Sequence, residues 1–262
     1  MPTGIALEAR GLSKSFGGVS AMADVSFTVH EGSLTAAIGP NGAGKTTLFN
    51  LVTNLYPPDH GTVSCFGVDL AARPPDEIAA LGLVRTFQTA RVFPGMTVLD
   101  NALVGAHLRV RAGLWQQALH LGTVRREERA IRRKAEALLD VVGLAAWRDA
   151  PAVSLPLGAQ KLLEVVRALM ASPRLLLLDE PAAGLNDVET AELARLLLAV
   201  RAAGVTLMVV EHNMSLVMGT ADQVIVLELG RVIAAGPPDA VQANPRVIEA
   251  YLGRDTQTAE MS

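Results

Sequence analysis

The 262-residue sequence holds a single cysteine, Cys65, so no disulfide forms within the chain and a reducing compartment is expected. Cys65 sits in Thr62-Val63-Ser64-Cys65-Phe66, which reads as a strand with a buried thiol rather than a reactive one. Aromatic residues make up only 4% while half of the residues are hydrophobic, the balance of an Ala/Leu/Val-rich α/β protein. No stretch reaches the roughly 18 uncharged apolar residues that a membrane span needs. The longest candidates, Leu196–Val210 and Val224–Leu229, are broken by Arg201 or too short. The first residues lack the basic region and apolar run of a secretory signal. The expectation is therefore a cytoplasmic protein that meets a membrane only through a partner. Basic residues are not in excess either. With 23 Lys and Arg against 26 Asp and Glu, a net charge of −3 gives no support for a nucleic-acid partner. Internal repeats and low-complexity linkers are missing as well, which leaves one large domain, or a core plus a subdomain, with ample hydrophobic interior.

What is present is organised around Gly39-Pro40-Asn41-Gly42-Ala43-Gly44-Lys45-Thr46-Thr47, which fits the phosphate-binding pattern G-x-x-x-x-G-K-[ST]. Small residues let successive backbone N–H groups wrap the β- and γ-phosphates of a nucleotide. Lys45 adds a point charge there, and the Thr46 hydroxyl suits Mg²⁺. A helix starting at Thr47-Leu48-Phe49 would aim its positive end at the same anion. Strand-like Leu34–Ile38 precedes the loop and helix-spaced Leu48, Leu51, Val52 and Leu55 follow it. That context separates a nucleotide site from an ordinary glycine-rich turn.

Before the loop, Ile5–Ala9 and Val25–Val29 alternate as antiparallel strands turning at Gly17-Gly18. Phe16, beside that turn, is either core or a ring to stack on adenine. After the loop come the breaker Pro57–Gly61, a short helix opened by Pro74-Pro75-Asp76-Glu77 and ending near Gly82, and strand-like Leu83–Gln88. From Thr97 the pattern turns helical, with a capping box at Thr97–Asp100 and apolar helical spacing over Ala135–Val142. Arg125–Lys134 holds six basic and two acidic residues and reads as a solvated helix face with a Glu128–Arg132 pair. Residues 97–154 thus read as a helical insert between two halves of an α/β core, 1–96 and 155–236. Leu175–Leu178 is a buried parallel strand ending in Asp179-Glu180. Asn186–Glu189 opens a helix that ends at Gly204. Val205–Val210 closes in Glu211-His212-Asn213, and Val224–Leu227 with Val232–Ala235 forms a hairpin around Gly230-Arg231. A helical extension over 237–253 and a mobile tail over 254–262 complete the chain.

In an open parallel sheet, ligands collect at the C-terminal strand ends. The phosphate loop, Gln88, Asp179-Glu180 and His212 all fall at such predicted ends. Singly, Gln88 reads equally as a loop cap and His212 as a core histidine; their convergence favours a site. Phosphoryl transfer to water then assigns the roles. Asp179 holds Mg²⁺ with Thr46, Glu180 polarises the attacking water, His212 contacts the γ-phosphate, and Gln88 touches metal or water beside the helical insert.

Gly39–Thr46, Gln88, Leu155-Pro156-Leu157-Gly158-Ala159-Gln160, Leu175–Glu180, Gly184-Leu185-Asn186 and His212 occur in the order found in ATP-binding-cassette (ABC) ATPases, and the chain resembles that family over nearly its whole length. The resemblance implies an α/β P-loop NTPase core with an antiparallel β subdomain and an inserted helical subdomain. It implies ATP and Mg²⁺ as ligands, and Phe16 as the adenine-stacking ring. It also implies head-to-tail closure of two such domains, each phosphate loop facing the partner's signature. Here the signature is altered: Pro156 stands where Ser is common and Ala159 where Gln is common. Pro156 removes a hydroxyl and an N–H but suits the first turn of a helix, so the Gly158 amide and the helix dipole remain to serve the anion, with Gln160 closing the same nucleotide-contacting window. The expectation is a working but altered signature.

A narrower resemblance rests on Arg85-Thr86-Phe87-Gln88, Phe93–Val98, Glu180–Asn186 and Asn244–Gly253. These look like the ATP-binding subunits of bacterial branched-chain amino-acid importers. That group implies a second, homologous but different ATPase subunit, two membrane permeases and an external solute-binding protein, with this chain peripheral on the cytoplasmic face and no nucleic acid bound. The competing reading is a soluble ABC ATPase acting on DNA or ribosomes, which would ordinarily bring coiled-coil insertions or tandem cassettes. A small-molecule kinase or GTPase fits poorly with Asp179-Glu180 and His212, and a non-catalytic nucleotide binder fits poorly with intact Lys45, Glu180 and His212.

Overall fold

Strands and helices of an α/β protein make up the computed structural model, which describes residues 4–71, 73–86, 92–108 and 121–251. Two compact units divide the chain: Met1–Arg85 with Arg174–Ala183 and Thr190–Ser262, and Thr86–Pro173 with Gly184–Glu189.

In the first unit the described strands form two sheets. One is antiparallel, in the order β2 (Val19–His30), β1 (Ile5–Phe16), β4 (His60–Cys65), β5 (Val68–Asp69). The turn between β1 and β2 falls at Gly17-Gly18, both at positive φ, as the glycine pair predicts. The other sheet runs β10 (Arg231–Gly236), β9 (Gln223–Glu228), β3 (Leu34–Ile38), β8 (Thr206–Val210), β7 (Leu175–Asp179), β6 (Leu83–Arg85). It is parallel except for the β9–β10 hairpin. Strands β3, β7 and β8 are buried along their whole length, which is why they read as continuous apolar runs. Helix α1 (Lys45–Val52) buries Leu48, Phe49, Leu51 and Val52 in the same core as strands of both sheets. Leu55 lies beyond the helix and is exposed, so the expected apolar stripe ends one turn early. The helix also starts two residues before the predicted Thr47, directly after Gly44, whose left-handed backbone (φ 102°) a Cβ would strain. Helix α2 (Pro75–Ala80) follows, with Gly82 turning the chain into β6. Cys65 is fully buried, and burial pushes its thiol up to about 12.

The second unit packs α3 (Val98–Val104), α4 (Leu121–Val141) and α5 (Leu157–Met170) around Val98, Leu99, Ala102, Leu139, Leu163 and Val166. The capping box at Thr97 is present: its hydroxyl accepts from the Asp100 N–H at 3.0 Å while the Asp100 carboxylate accepts from the Thr97 N–H. Arg126, Arg129, Arg132 and Arg133 of the basic run are exposed, as a solvated face requires, and Lys134 departs from it. Lys134 donates to the carbonyls of Leu169 and Met170 and to Ser172 Oγ, at 2.8, 3.2 and 2.6 Å, and so caps the C-terminus of α5. Arg132 pairs with Glu136 rather than with Glu128.

Helix α6 (Asp187–Ala202) opens on a reciprocal cap between Asn186 and Glu189, each side chain accepting the other's N–H at 3.0 Å. Helix α7 (Met214–Thr220) is capped by Asn213, and α8 (Pro238–Gln242) leads to a last helical stretch over 245–251. The predicted tail over 254–262 lies outside the described residues. Among those residues no helix is long and apolar enough to cross a membrane.

Candidate functional site

Parallel pairing sets three functional loops at one edge. Val210 pairs with Ala37 on one side and with Asp179 on the other, so β3, β8 and β7 end at one level. The residues that follow them are Gly39–Thr47, Glu211-His212 and Glu180.

The phosphate loop runs from β3 into α1 with Gly42 and Gly44 at positive φ. Gly39 is required by contact: a Cβ there would lie 2.2 Å from the Leu227 carbonyl oxygen on β9. The loop is also laced to the hairpin end, where the Gly230 N–H donates to the Ala43 carbonyl at 3.0 Å. Lys45 is buried, its Nζ donating to the Gly39 and Pro40 carbonyls at 2.7 and 3.2 Å. Desolvation holds its ammonium below the ordinary lysine value, while Glu180, Glu211 and Asp179 oppose that shift. The hydroxyl-bearing Thr46 is exposed, Thr47 half-buried, and Asn41 and Gly42 exposed. Ala43 packs inward and Pro40 is half-buried.

Asp179 closes β7 at 3% exposure. Its Oδ2 accepts from Arg85 Nη2 at 2.8 Å, and its Oδ1 is buried with no hydrogen-bond partner among the described residues. A carboxylate oxygen left unpaired at a strand end fits a hydrated cation, and an exposed threonine hydroxyl on the neighbouring loop fits the same ion. One carboxylate plus one hydroxyl is a donor set that Mg²⁺ accepts when nucleotide phosphates and water complete its shell.

Glu180 takes a left-handed backbone (φ 47°), unusual for a non-glycine residue. Its N–H donates to the Val210 carbonyl at 2.9 Å and its carbonyl accepts from Ala183 at 3.1 Å. This sharp turn throws the residue off the end of the strand instead of continuing it. His212 is exposed at the end of β8.

Two participants were not singled out in the sequence. Glu211, fully buried, accepts the N–H of Ala182 at 2.7 Å on one oxygen and those of His212 and Asn213 at 3.0 and 3.1 Å on the other. Its signal was legible: an acidic residue ends a wholly apolar strand, as Asp179 does. Arg85 is the only charged residue of β6 and points into the same site.

Phe16 stands 44% exposed at the end of β1, edge-on to Tyr56 at 5.7 Å between ring centres, with the Lys14 ammonium 5.7 Å from its ring. It is therefore not core. Gln88 lies outside the described residues. The signature window belongs to the second unit. Pro156 occupies the N-cap position of α5, one residue before the expected first turn, without a side-chain cap. Gly158 is buried, and a Cβ on it would meet Glu189 Oε1 at 2.4 Å. Gln160 Nε2 donates to the Leu155 carbonyl at 2.8 Å.

A family model described as ABC transporter matches residues 22–183, and one described as branched-chain amino acid ATP-binding cassette transporter matches residues 231–256. The high-affinity branched-chain amino acid transport ATP-binding protein LivG of Salmonella typhimurium is 41% identical over 248 residues, covering 94% of this chain and 97% of the relative. The corresponding protein BraF of Pseudomonas aeruginosa is 40% identical with the same coverage. A nucleotide-free ATP-binding cassette from an ABC transporter superposes with a TM-score of 0.81 at 33% identity, covering 94% of this chain and 98% of that one. A cassette solved in its ADP conformation gives 0.83 at 33% identity, covering 96% and 100%.

Proposed function

Since the chain belongs to the ABC transporter family and is an ATPase of that family, we propose that it is the ATP-hydrolysing motor subunit of a bacterial importer for branched-chain or related amino acids. The observation that carries the catalytic part is the common level of β3, β8 and β7, which brings Lys45, Glu180 and the Glu211-His212 corner to one strand edge. The solute class is supported by LivG and BraF and by the match over residues 231–256.

In this reading Lys45 exchanges the Gly39 and Pro40 carbonyls for the β/γ oxygens of ATP, a charge held in place before the nucleotide arrives. Thr46 and Asp179 hold Mg²⁺, which when bound offsets charge on the phosphates. Glu180 accepts a proton from the attacking water. His212 steadies the γ-phosphate, Phe16 stacks on adenine, and Gln88 senses metal or water. The Pro156–Gln160 window completes the phosphate loop of a second, homologous ATPase subunit. The permease subunits of the transporter hold the chain at the inner face of the membrane, and a solute-binding protein acts on the other side.

The test is Glu180→Gln. ATP binding should persist while turnover falls at least about a hundredfold, the size expected for loss of a positioned base. ATP should also trap a dimer on sizing chromatography with the partner ATPase. Normal hydrolysis by the variant would remove Glu180 from the role of base.

A further inference from the structure

Arg85 gathers contacts that the proposed chemistry does not use. Its Nη2 donates to Asp179 Oδ2 at 2.8 Å, and its Nη1 donates to Asn50 Oδ1 at 2.7 Å and Thr53 Oγ1 at 3.3 Å. The guanidinium carbon lies 5.5 Å from the centre of the Phe49 ring. Asn50, Phe49 and Thr53 belong to α1 and its C-cap, the helix that springs from the phosphate loop. One half-buried cation therefore joins β6, the carboxylate at the end of β7, and the phosphate-loop helix.

The way it holds Asp179 is informative. An arginine facing a carboxylate frequently takes both oxygens with its planar fork. Here the fork is divided between Asp179 and Asn50. Arg85 Nε and Asp179 Oδ1 are both buried without a hydrogen-bond partner among the described residues. An unpaired oxygen on a carboxylate only 3% exposed is costly unless something at the site receives it. The second oxygen is thus held back, in an orientation set from behind by α1.

We propose that Arg85 is a positioning residue for metal-assisted ATP hydrolysis: it anchors Asp179 through Oδ2 to the phosphate-loop helix and leaves Oδ1 for the water shell of the nucleotide-bound divalent cation. The inference rests on the ATPase reading above. It treats Arg85 as an outer partner that orients a metal-facing carboxylate, a kind of contact whose loss commonly lowers metal affinity about 10- to 100-fold. Asn50 and Thr53 fix the guanidinium, so a lysine, with one ammonium and no fork, reproduces only part of the effect.

The experiment measures binding of a fluorescent ATP analogue to wild type, Arg85→Gln and Arg85→Lys, each with Mg²⁺ and with EDTA. The expected result is EDTA affinity within about twofold of wild type for every variant, with the enhancement by Mg²⁺ cut about 10-fold or more in Arg85→Gln and partly restored in Arg85→Lys. An unchanged enhancement in Arg85→Gln would overturn the proposal. So would a larger one, since it would mean that the Arg85 charge competes with the cation. If wild type bound no ATP in either condition, the ATPase reading itself would fall. Should Arg85→Gln not fold, Asn50→Ala loosens the same guanidinium and should lower the Mg²⁺ enhancement alone; an unaltered enhancement there counts equally against the proposal.

Discussion

The buried carboxylate of Glu211 accepts the Ala182 N–H at 2.7 Å, so the turn that follows Glu180 is fastened to the end of the neighbouring strand. The other oxygen of the same carboxylate accepts the N–H groups of His212 and Asn213. One side chain with no direct part in the chemistry thereby holds the candidate base and the candidate γ-phosphate contact in a common frame. Glu180 needs such support because its left-handed backbone is strained, by about 1–3 kcal/mol for a residue of this kind.

Glu211→Gln should separate stability from shape. An amide keeps one acceptor for Ala182 but turns an NH₂ toward two N–H donors, or the reverse. The variant should lose about 1.5–3 kcal/mol in denaturant unfolding, the scale of hydrogen bonds to a charged group. Its turnover should fall while its affinity for ATP changes little, because Lys45 and the phosphate loop are held by other contacts. Turnover and stability equal to wild type would show that the two loops hold each other without this carboxylate.

Pro156→Ser addresses the altered signature. Serine at the N-cap of α5 supplies an acceptor for an orphan N–H, a gain of about 0.5–2 kcal/mol. Loss of the proline releases about 0.4–1 kcal/mol of unfolded-chain entropy. The two nearly offset, so thermal stability should shift little. ATP turnover in the assembled complex should stay within about threefold of wild type if the Gly158 amide and the dipole of α5 already serve the anion. A gain of tenfold or more would mark the native signature as degenerate.

Cys65 gives a pH-dependent reporter of the first unit. Burial raises its thiol to about 12, above the ordinary value of 9.0, with the Arg174 charge opposing the shift. Between those values the unfolded chain releases a proton that the folded chain keeps. Stability is therefore fully present below pH 9 and declines as pH rises towards 12. Cys65→Ala should flatten that alkaline slope. Iodoacetamide at pH 8 should label the unfolded protein and leave the native one untouched; rapid native labelling would contradict the burial.

Elements whose function depends on local chemistry were legible in the chain. The apolar runs of β3, β7 and β8, the glycine turn at 17–18, the capping residues Thr97 and Asn186, and the spacing of the phosphate loop each carry their own signal at short range. Leu55 and Arg132 show where that signal weakens. A helix can stop before its apolar spacing does, and a charged residue on a helix has two candidates one turn away. Lys134 illustrates the stronger limit: nothing beside it in sequence reveals that residues 169–172 place their carbonyls and a hydroxyl around its ammonium.

The sequence by itself determined the type of chemistry, because Gly39–Thr47, Asp179, Glu180 and His212 announce themselves by residue type and by position at the ends of apolar runs. Only the tertiary structure decided what holds them. Glu211 reaches Ala182 at 2.7 Å, and Arg85 reaches Asn50, Thr53 and Asp179 at 2.7–3.3 Å, each across segments far apart in the chain. Hydrogen bonds of that kind depend on which strands become neighbours, and strand order is a property of the folded sheet rather than of any local stretch.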